Sequence, residues 1–168
     1  MPVVANSSPL IYLAALSDFH FLRDLFGAIT IPSAVYHEVV ERGTGFPVKS
    51  QVEAALDDWI AVKAVRNRRR IEDICETAQL DRGEAEAIIL AQECRAERLL
   101  LDDQRAVGYA RRCGLNVTRT PVIYSEANLR GWIPSVREKL DALRKKGFRL
   151  SDRHYEQILK DLGESQIP

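Results

Sequence analysis

Short polar signals stand where apolar runs end and helices can begin. Asn6-Ser7-Ser8-Pro9 follows Val3-Val4-Ala5, and Glu38 closes Ile31-Pro32-Ser33-Ala34-Val35-Tyr36-His37-Glu38. Gly83 precedes Glu84, and Asp102-Asp103 follow Leu99-Leu100-Leu101. In an open parallel sheet the carboxyl ends of neighbouring strands face one crevice, so acids far apart in sequence can meet there. Several carboxylates in one crevice repel each other unless a cation holds them, and hard oxygen ligands suit Mg²⁺ or Mn²⁺. The pattern points to a metal-dependent site that cleaves phosphodiesters.

The elements that must position these residues alternate between β and α. Residues 2–5 read as a short buried strand, after which Ser8 and Pro9 supply an N-cap and a proline at the first helical position. Residues 10–25 carry apolar side chains at helical spacing and predict two short helices broken near Ser17-Asp18. A strand at 28–31 follows; Pro32-Ser33 then open a helix that runs to Glu41 and stops at Arg42-Gly43-Thr44-Gly45. Residues 50–56 predict a short helix, 59–65 alternate like an exposed or edge strand, and 66–70 read as loop. The strongest helical pattern spans 81–96, with a fully buried strand at 99–101 after it. Residues 104–113 are helical and end at Gly114; a short strand begins at Val117 and a helix covers 121–129. Residues 134–145 and 151–162 each carry apolar positions on one face, separated by Gly147-Phe148. They predict a charged helical hairpin, about 134–163, packed on the α/β body.

Composition narrows the class. A chain of 168 residues predicts one compact domain, 1–168, able to bury its own core. The 24 basic and 24 acidic side chains cancel, so a nucleic-acid partner would have to be recognised by a local patch rather than by bulk charge. Cys75, Cys94 and Cys113 show no metal spacing and read as reduced thiols of an intracellular protein. Without a charged lead-in, a cleavage site or an apolar run of membrane-spanning length, a cytoplasmic protein with no membrane partner is expected. His20, His37 and His154 are scattered and joined by no Cys at zinc-ligand spacing, which argues against Zn. His37 is expected to face away from Glu38, because adjacent helical residues point about 100° apart. No phosphate-binding Gly-Lys-Ser/Thr loop occurs. Arg66, Arg68, Arg69 and Arg70 form the densest basic run, either a solvated loop or a phosphate-steering patch.

Five segments together resemble the PIN-domain family. They are Asn-Ser-Ser-Pro-Leu-Ile-Tyr-Leu at 6–13, Ile-Pro-x-x-Val-x-x-Glu at 31–38, Leu-Asp-x-Gly-Glu-x-x-Ala-Ile-x-Leu-Ala at 80–91, Leu-Leu-Asp-Asp-x-x-Ala at 100–106 and Leu-Arg-x-x-Gly-Phe-Arg-Leu-Ser at 143–151. The likeness is to the toxin-like prokaryotic branch in which the first acid is often Asn. It implies a three-layer α/β/α sandwich around a central parallel sheet. It also implies Mg²⁺- or Mn²⁺-dependent cleavage of single-stranded RNA, as the toxin of a toxin–antitoxin pair with a small antitoxin protein as partner. Carried over by position, Asn6 stands where the family's first Asp usually stands, and Glu38, Glu84 and Asp102 or Asp103 match the remaining acids, all as catalytic and metal-binding residues. Of the pair, Asp102 is expected to be the nearer ligand and Asp103 the helix cap. Ser7 or Ser8 matches a supporting hydroxyl. Thr118-Arg119-Thr120-Pro121 departs from the Gly-rich turn common in that branch. Self-association is a family habit, and the apolar side chains of 10–25 exceed what one buried face needs, so a homodimer through that segment is expected.

Each acid also has a plainer reading. Asp81-Arg82-Gly83-Glu84 is a capping-box pattern; Asp102 or Asp103 can cap the following helix, Asn6 can cap the first one, and Glu38 can be solvated surface. Their common place at strand-to-helix junctions favours one shared acidic site. Two other functions fit less well. One is a catalytically weak binding module for RNA or protein, in which the neutral Asn6 has cost the activity. The other is a receiver-like phosphoryl-transfer domain, which would need a lone acceptor Asp at another strand end and a well-placed Lys; neither is found.

Overall fold

The computed structural model describes residues 2–43 and 46–164, which fall into two compact units, 1–120 and 121–168. The first unit is built on a five-stranded, all-parallel sheet of order β3-β2-β1-β4-β5. The strands are β1 (Val3–Ala5), β2 (Ile29–Pro32), β3 (Ile60–Lys63), β4 (Arg98–Leu100) and β5 (Val117–Thr118). The inner strands are short apolar runs, as strands buried on both faces must be, whereas β3 lies at the sheet edge with Ala61, Val62 and Lys63 exposed, as the alternation at 59–65 suggests. Val4, Leu99 and Leu101 pack into a cluster with α5 (Arg69–Ala78), α6 (Arg82–Glu93) and α7 (Gln104–Arg112). Val3, Ala5 and Leu100 are no more than 3% exposed as well, so both faces of the sheet are covered. This is the expected α/β/α sandwich.

Sheet order decides where the candidate residues go. The chain moves from β1 to β2 and β3 on one side, then returns to place β4 and β5 on the other. The order therefore reverses between β1 and β4, the place where open parallel sheets open a ligand crevice at their carboxyl ends. Asn6 follows β1 there, its backbone N–H donating to the Leu100 carbonyl at 2.9 Å. Asp102 and Asp103 follow β4.

The helices largely match expectation. Residues 10–25 divide into α1 (Ser7–Ala15) and α2 (His20–Phe26), with Ser17 at positive φ between them. The helix after Pro32 is not uniform: α3 (Ser33–Tyr36) continues as a π-helical turn, His37–Glu41. Two boundaries differ. α4 (Pro47–Ala55) starts earlier than predicted, with Pro47 in the first turn where its missing N–H costs nothing. Part of the expected stop before it, Thr44-Gly45, lies outside the described residues. The second difference is α5, for which no helix was expected. Its Ile71, Ile74, Cys75 and Ala78 follow helical spacing, but charged residues surround them and the Arg run merges with its first turn. No helix among the described residues is long and apolar enough to cross a membrane.

The second unit holds α8 (Thr120–Leu129, beginning at the last residue of the first unit), α9 (Val136–Lys145) and α10 (Asp152–Asp161). Ser135 caps α9 and Ser151 caps α10, while Gly147 turns the chain between them at φ +95°. The hairpin buries Val136, Leu140, Leu143, Tyr155 and Leu159. Tyr155 donates to Asp141 at 2.7 Å and lies under the Arg144 guanidinium.

Candidate functional site

Asn6, rather than Ser8 as expected, occupies the N-cap position of α1, which begins at Ser7 so that Pro9 is its third residue; the Asn6 side chain makes no capping hydrogen bond. The residue is buried, and Oδ1 points across the crevice toward α6, where a Cβ added to Gly83 would lie 3.3 Å away. The same point is 3.3 Å from Glu38 Oε1 and 3.6 Å from Asp81 Oδ1. Oxygens from three separate segments thus come together beside Gly83, at a position where a side chain would crowd them. Glu38 reaches it from the π-helical turn with an exposed side chain.

Asp81 and Glu84 form the capping box the sequence pattern suggests. Asp81 Oδ1 accepts from the Glu84 N–H at 2.8 Å, and Glu84 Oε2 accepts from the Asp81 N–H at 3.0 Å. The cap and the acidic cluster are compatible. Burial above all, opposed by the hydrogen bond from the Asp81 backbone and assisted by the charges of Asp81, Asp103 and Glu38, pushes the Glu84 carboxyl up to about 7. Four acids therefore share one field.

The two members of the Asp pair point to different surroundings. Asp102 is 6% exposed and turned inward, accepting from Thr120 N at 2.7 Å, Thr120 Oγ1 at 2.6 Å and Ser8 Oγ at 2.9 Å. Its carboxyl is raised by burial against these hydrogen bonds. The carboxylate thus joins the segments after β1, β4 and β5, and the departure at Thr118–Pro121 proves to be the source of two of its donors. Asp103 caps α7, as expected, accepting from Ala106 N at 3.0 Å. It remains exposed and lies within electrostatic reach of Glu84. Ser8, not Ser7, is the supporting hydroxyl; Ser7 Oγ is buried and has no hydrogen-bond partner.

Beside Gly83 opens a cleft of about 440 Å³, lined by Ser33, His37, Glu38, Arg42, Asp81 and Arg82 among others. His37 reaches this cleft together with Glu38, contrary to the expectation that it faces elsewhere, and its Nδ1 is hydrogen-bonded to Glu41. The basic run lies at the other end of α6. The Arg66 and Asn67 backbone amides donate to Glu93, nine positions beyond Glu84 and about 13 Å along the helix axis. Two residues that bear on the site escaped the sequence reading. Asp81 was visible only as a cap, and Glu86, 3% exposed, looked like one more charge in a helical pattern.

Among the described residues no three His, Cys, Asp or Glu side chains converge closely enough to hold a metal ion by themselves. The amide oxygen of Asn6 has to be counted. With it, the donor set around the open position at Gly83 consists of hard oxygens, neutral and anionic, which fits a divalent cation of the Mg²⁺ or Mn²⁺ type.

A family model described as PIN domain matches residues 2–164. The chain belongs to the PIN-domain family. No curated protein matches it. PIN domains are generally nucleases and typically use divalent metal ions, which makes this PIN domain a nuclease-type hydrolase with a nucleic-acid substrate.

Proposed function

We propose that this PIN domain is a Mg²⁺- or Mn²⁺-dependent endoribonuclease of single-stranded RNA, serving as the toxin of a toxin–antitoxin pair. The observation that carries the nuclease reading is the convergence of Asn6, Glu38 and Asp81 oxygens on the open side of Gly83, within the field of Glu84 and Asp103. Asn6, Glu38 and Asp81 would hold the ion, with Glu84 and Asp103 adding negative charge around it. A bound divalent cation lowers the pKa of a water molecule and offsets charge building on phosphate oxygens.

The chain's own residues do the rest. Asn6 supplies a buried, fixed, neutral oxygen, so it orients without adding repulsion to the acids. Exposed Glu38 is free to follow its partner. Asp102 positions rather than ligates, because its hydrogen bonds from Ser8 and Thr120 hold together the junctions after β1, β4 and β5. Arg42 and Arg82 stand at the cleft wall, where guanidinium groups suit the phosphates that flank a scissile bond.

RNA as substrate, the antitoxin and the homodimer rest on the family resemblance. The apolar segment invoked for the dimer gives it less support than expected: Leu10, Leu13, Phe19, Phe21 and Leu22 are buried within the chain itself, and Ile11 is the large apolar residue of that segment left exposed. A second reading, a catalytically weak binding module, draws on the neutral Asn6 and on Glu84 being engaged as a cap. Manganese-dependent cleavage of single-stranded RNA by the purified chain, compared with Glu38→Gln, decides between them. Metal-dependent turnover lost in the variant supports the enzyme; RNA binding without turnover supports the module.

A further inference from the structure

α3 begins directly after Pro32, which offers no side-chain cap. The first-turn amides of a helix have no partner inside it. One of them, Ala34 N–H, finds Glu86 Oε1 at 3.1 Å, 52 positions away in sequence. The other carboxylate oxygen accepts from Arg82 Nε at 2.8 Å. The Glu86 side chain is 4% exposed while that of Arg82 is 66% exposed, so the carboxylate is buried and both its oxygens are used.

Burying a charge to join two helices is costly unless its lone pairs are matched by donors. The location suggests what the arrangement is for. Glu86 lies three residues beyond Gly83 on α6, hence on the same face and one turn away. Ala34 lies four residues before Glu38, again about one turn. The bond between them therefore ties the helix carrying the open position to the helix carrying the carboxylate that reaches it.

We infer that Glu86 is a positioning residue of the site: it caps α3 from across the crevice and sets the separation of Glu38 from Asn6, Asp81 and Gly83. Arg82 keeps Glu86 in place through Nε. The inference rests on the metal-site reading above, and it assigns Glu86 no contact with ion or substrate.

Two substitutions in the full chain test it. Glu86→Gln keeps a carbonyl oxygen for Ala34 N–H, whereas Glu86→Met keeps length and packing but offers no acceptor. Titration with Mn²⁺ should give near-wild-type affinity for Glu86→Gln. Affinity should fall by about tenfold or more for Glu86→Met, and its metal-free form should fold but melt below wild type, because Ala34 N–H loses its acceptor. On single-stranded RNA, kcat of Glu86→Met should fall while KM stays close to wild type. Wild-type Mn²⁺ affinity in Glu86→Met overturns the inference, as does equal loss in both variants. If the wild-type chain neither binds Mn²⁺ nor cleaves RNA, the nuclease reading fails, and Ala34 amide hydrogen exchange then decides for Glu86. Slow exchange in wild type and Glu86→Gln with fast exchange in Glu86→Met keeps the clamp; equal exchange in all three removes it.

Discussion

Replacing Gly83 by alanine would put a methyl carbon 3.3 Å from both Asn6 Oδ1 and Glu38 Oε1 and 3.6 Å from Asp81 Oδ1. The backbone welcomes the change, since residue 83 lies in the first turn of α6 and its φ is not positive. Alanine gains about 0.8–1.0 kcal/mol of helix propensity over glycine. The two close oxygens must each give by a few tenths of an ångström. Both are ends of side chains, so the penalty is about that of one strained rotamer, 0.5–1.5 kcal/mol. The two terms nearly cancel, and the metal-free melting temperature should stay within about 4 °C of wild type. Ion binding has no such compensation, because the methyl group stands within 3.6 Å of all three oxygens. Mn²⁺ affinity should fall by about tenfold or more, or about 1.4 kcal/mol. Calorimetric titration with Mn²⁺ beside a thermal melt of the metal-free form reads both quantities. Unchanged affinity in a normally folded Gly83→Ala would refute the placement of the ion site; a collapse in stability with no loss of affinity would make Gly83 a packing residue only.

Other expectations follow from the same geometry. Glu84 titrates at about 7 against an ordinary 4.5, so the native state holds more protons between those values and stability falls as pH rises through that window. Glu84→Gln should be neutral at pH 4 and more stable than wild type at pH 8, by up to about 3 kcal/mol; urea unfolding at both pH values checks this, and a gain independent of pH would contradict it. Asp102→Asn should lower stability by about 1–3 kcal/mol, because the Ser8 and Thr120 donors lose an acceptor. Asp103→Asn keeps a competent cap and should leave the melting temperature unchanged while slowing cleavage; the reverse pattern in melts and cleavage assays would restore Asp102 as the nearer ligand. Asn6→Asp adds a buried charge to the acidic group, so its metal-free form should melt lower yet bind Mn²⁺ more tightly. Equal binding would remove Asn6 from the site.

Much of this organisation is legible in the sequence because period and punctuation agree. Short apolar runs followed by a polar residue or a proline mark β1, β2 and β4, and the polar signals after β1 and β2 bring Asn6 and Glu38 to the carboxyl end of the sheet. Helix α5 is hidden because its apolar stripe is thin and its first turn is occupied by Arg69 and Arg70. Partners across space leave no local mark. Nothing near residue 86 announces that its acceptor serves Ala34, and nothing at Asp102 shows that Thr120 will supply both an N–H and a hydroxyl. Asp81 looks complete as a cap, and only the fold reveals that the same oxygen also faces Asn6 and Glu38.

The central claim is that the oxygens around Gly83 form a metal-dependent nuclease site, and one measurement addresses it most directly. Turnover of a fluorogenic single-stranded RNA should be followed for wild type and Glu38→Gln, with Mn²⁺ and with chelator. Glu38 is exposed, so its replacement leaves the core intact. Wild type should cleave with Mn²⁺ and stop with chelator, and Glu38→Gln should be slower by about a hundredfold or more. Equal turnover in Glu38→Gln, or cleavage that survives removal of metal, would contradict the account.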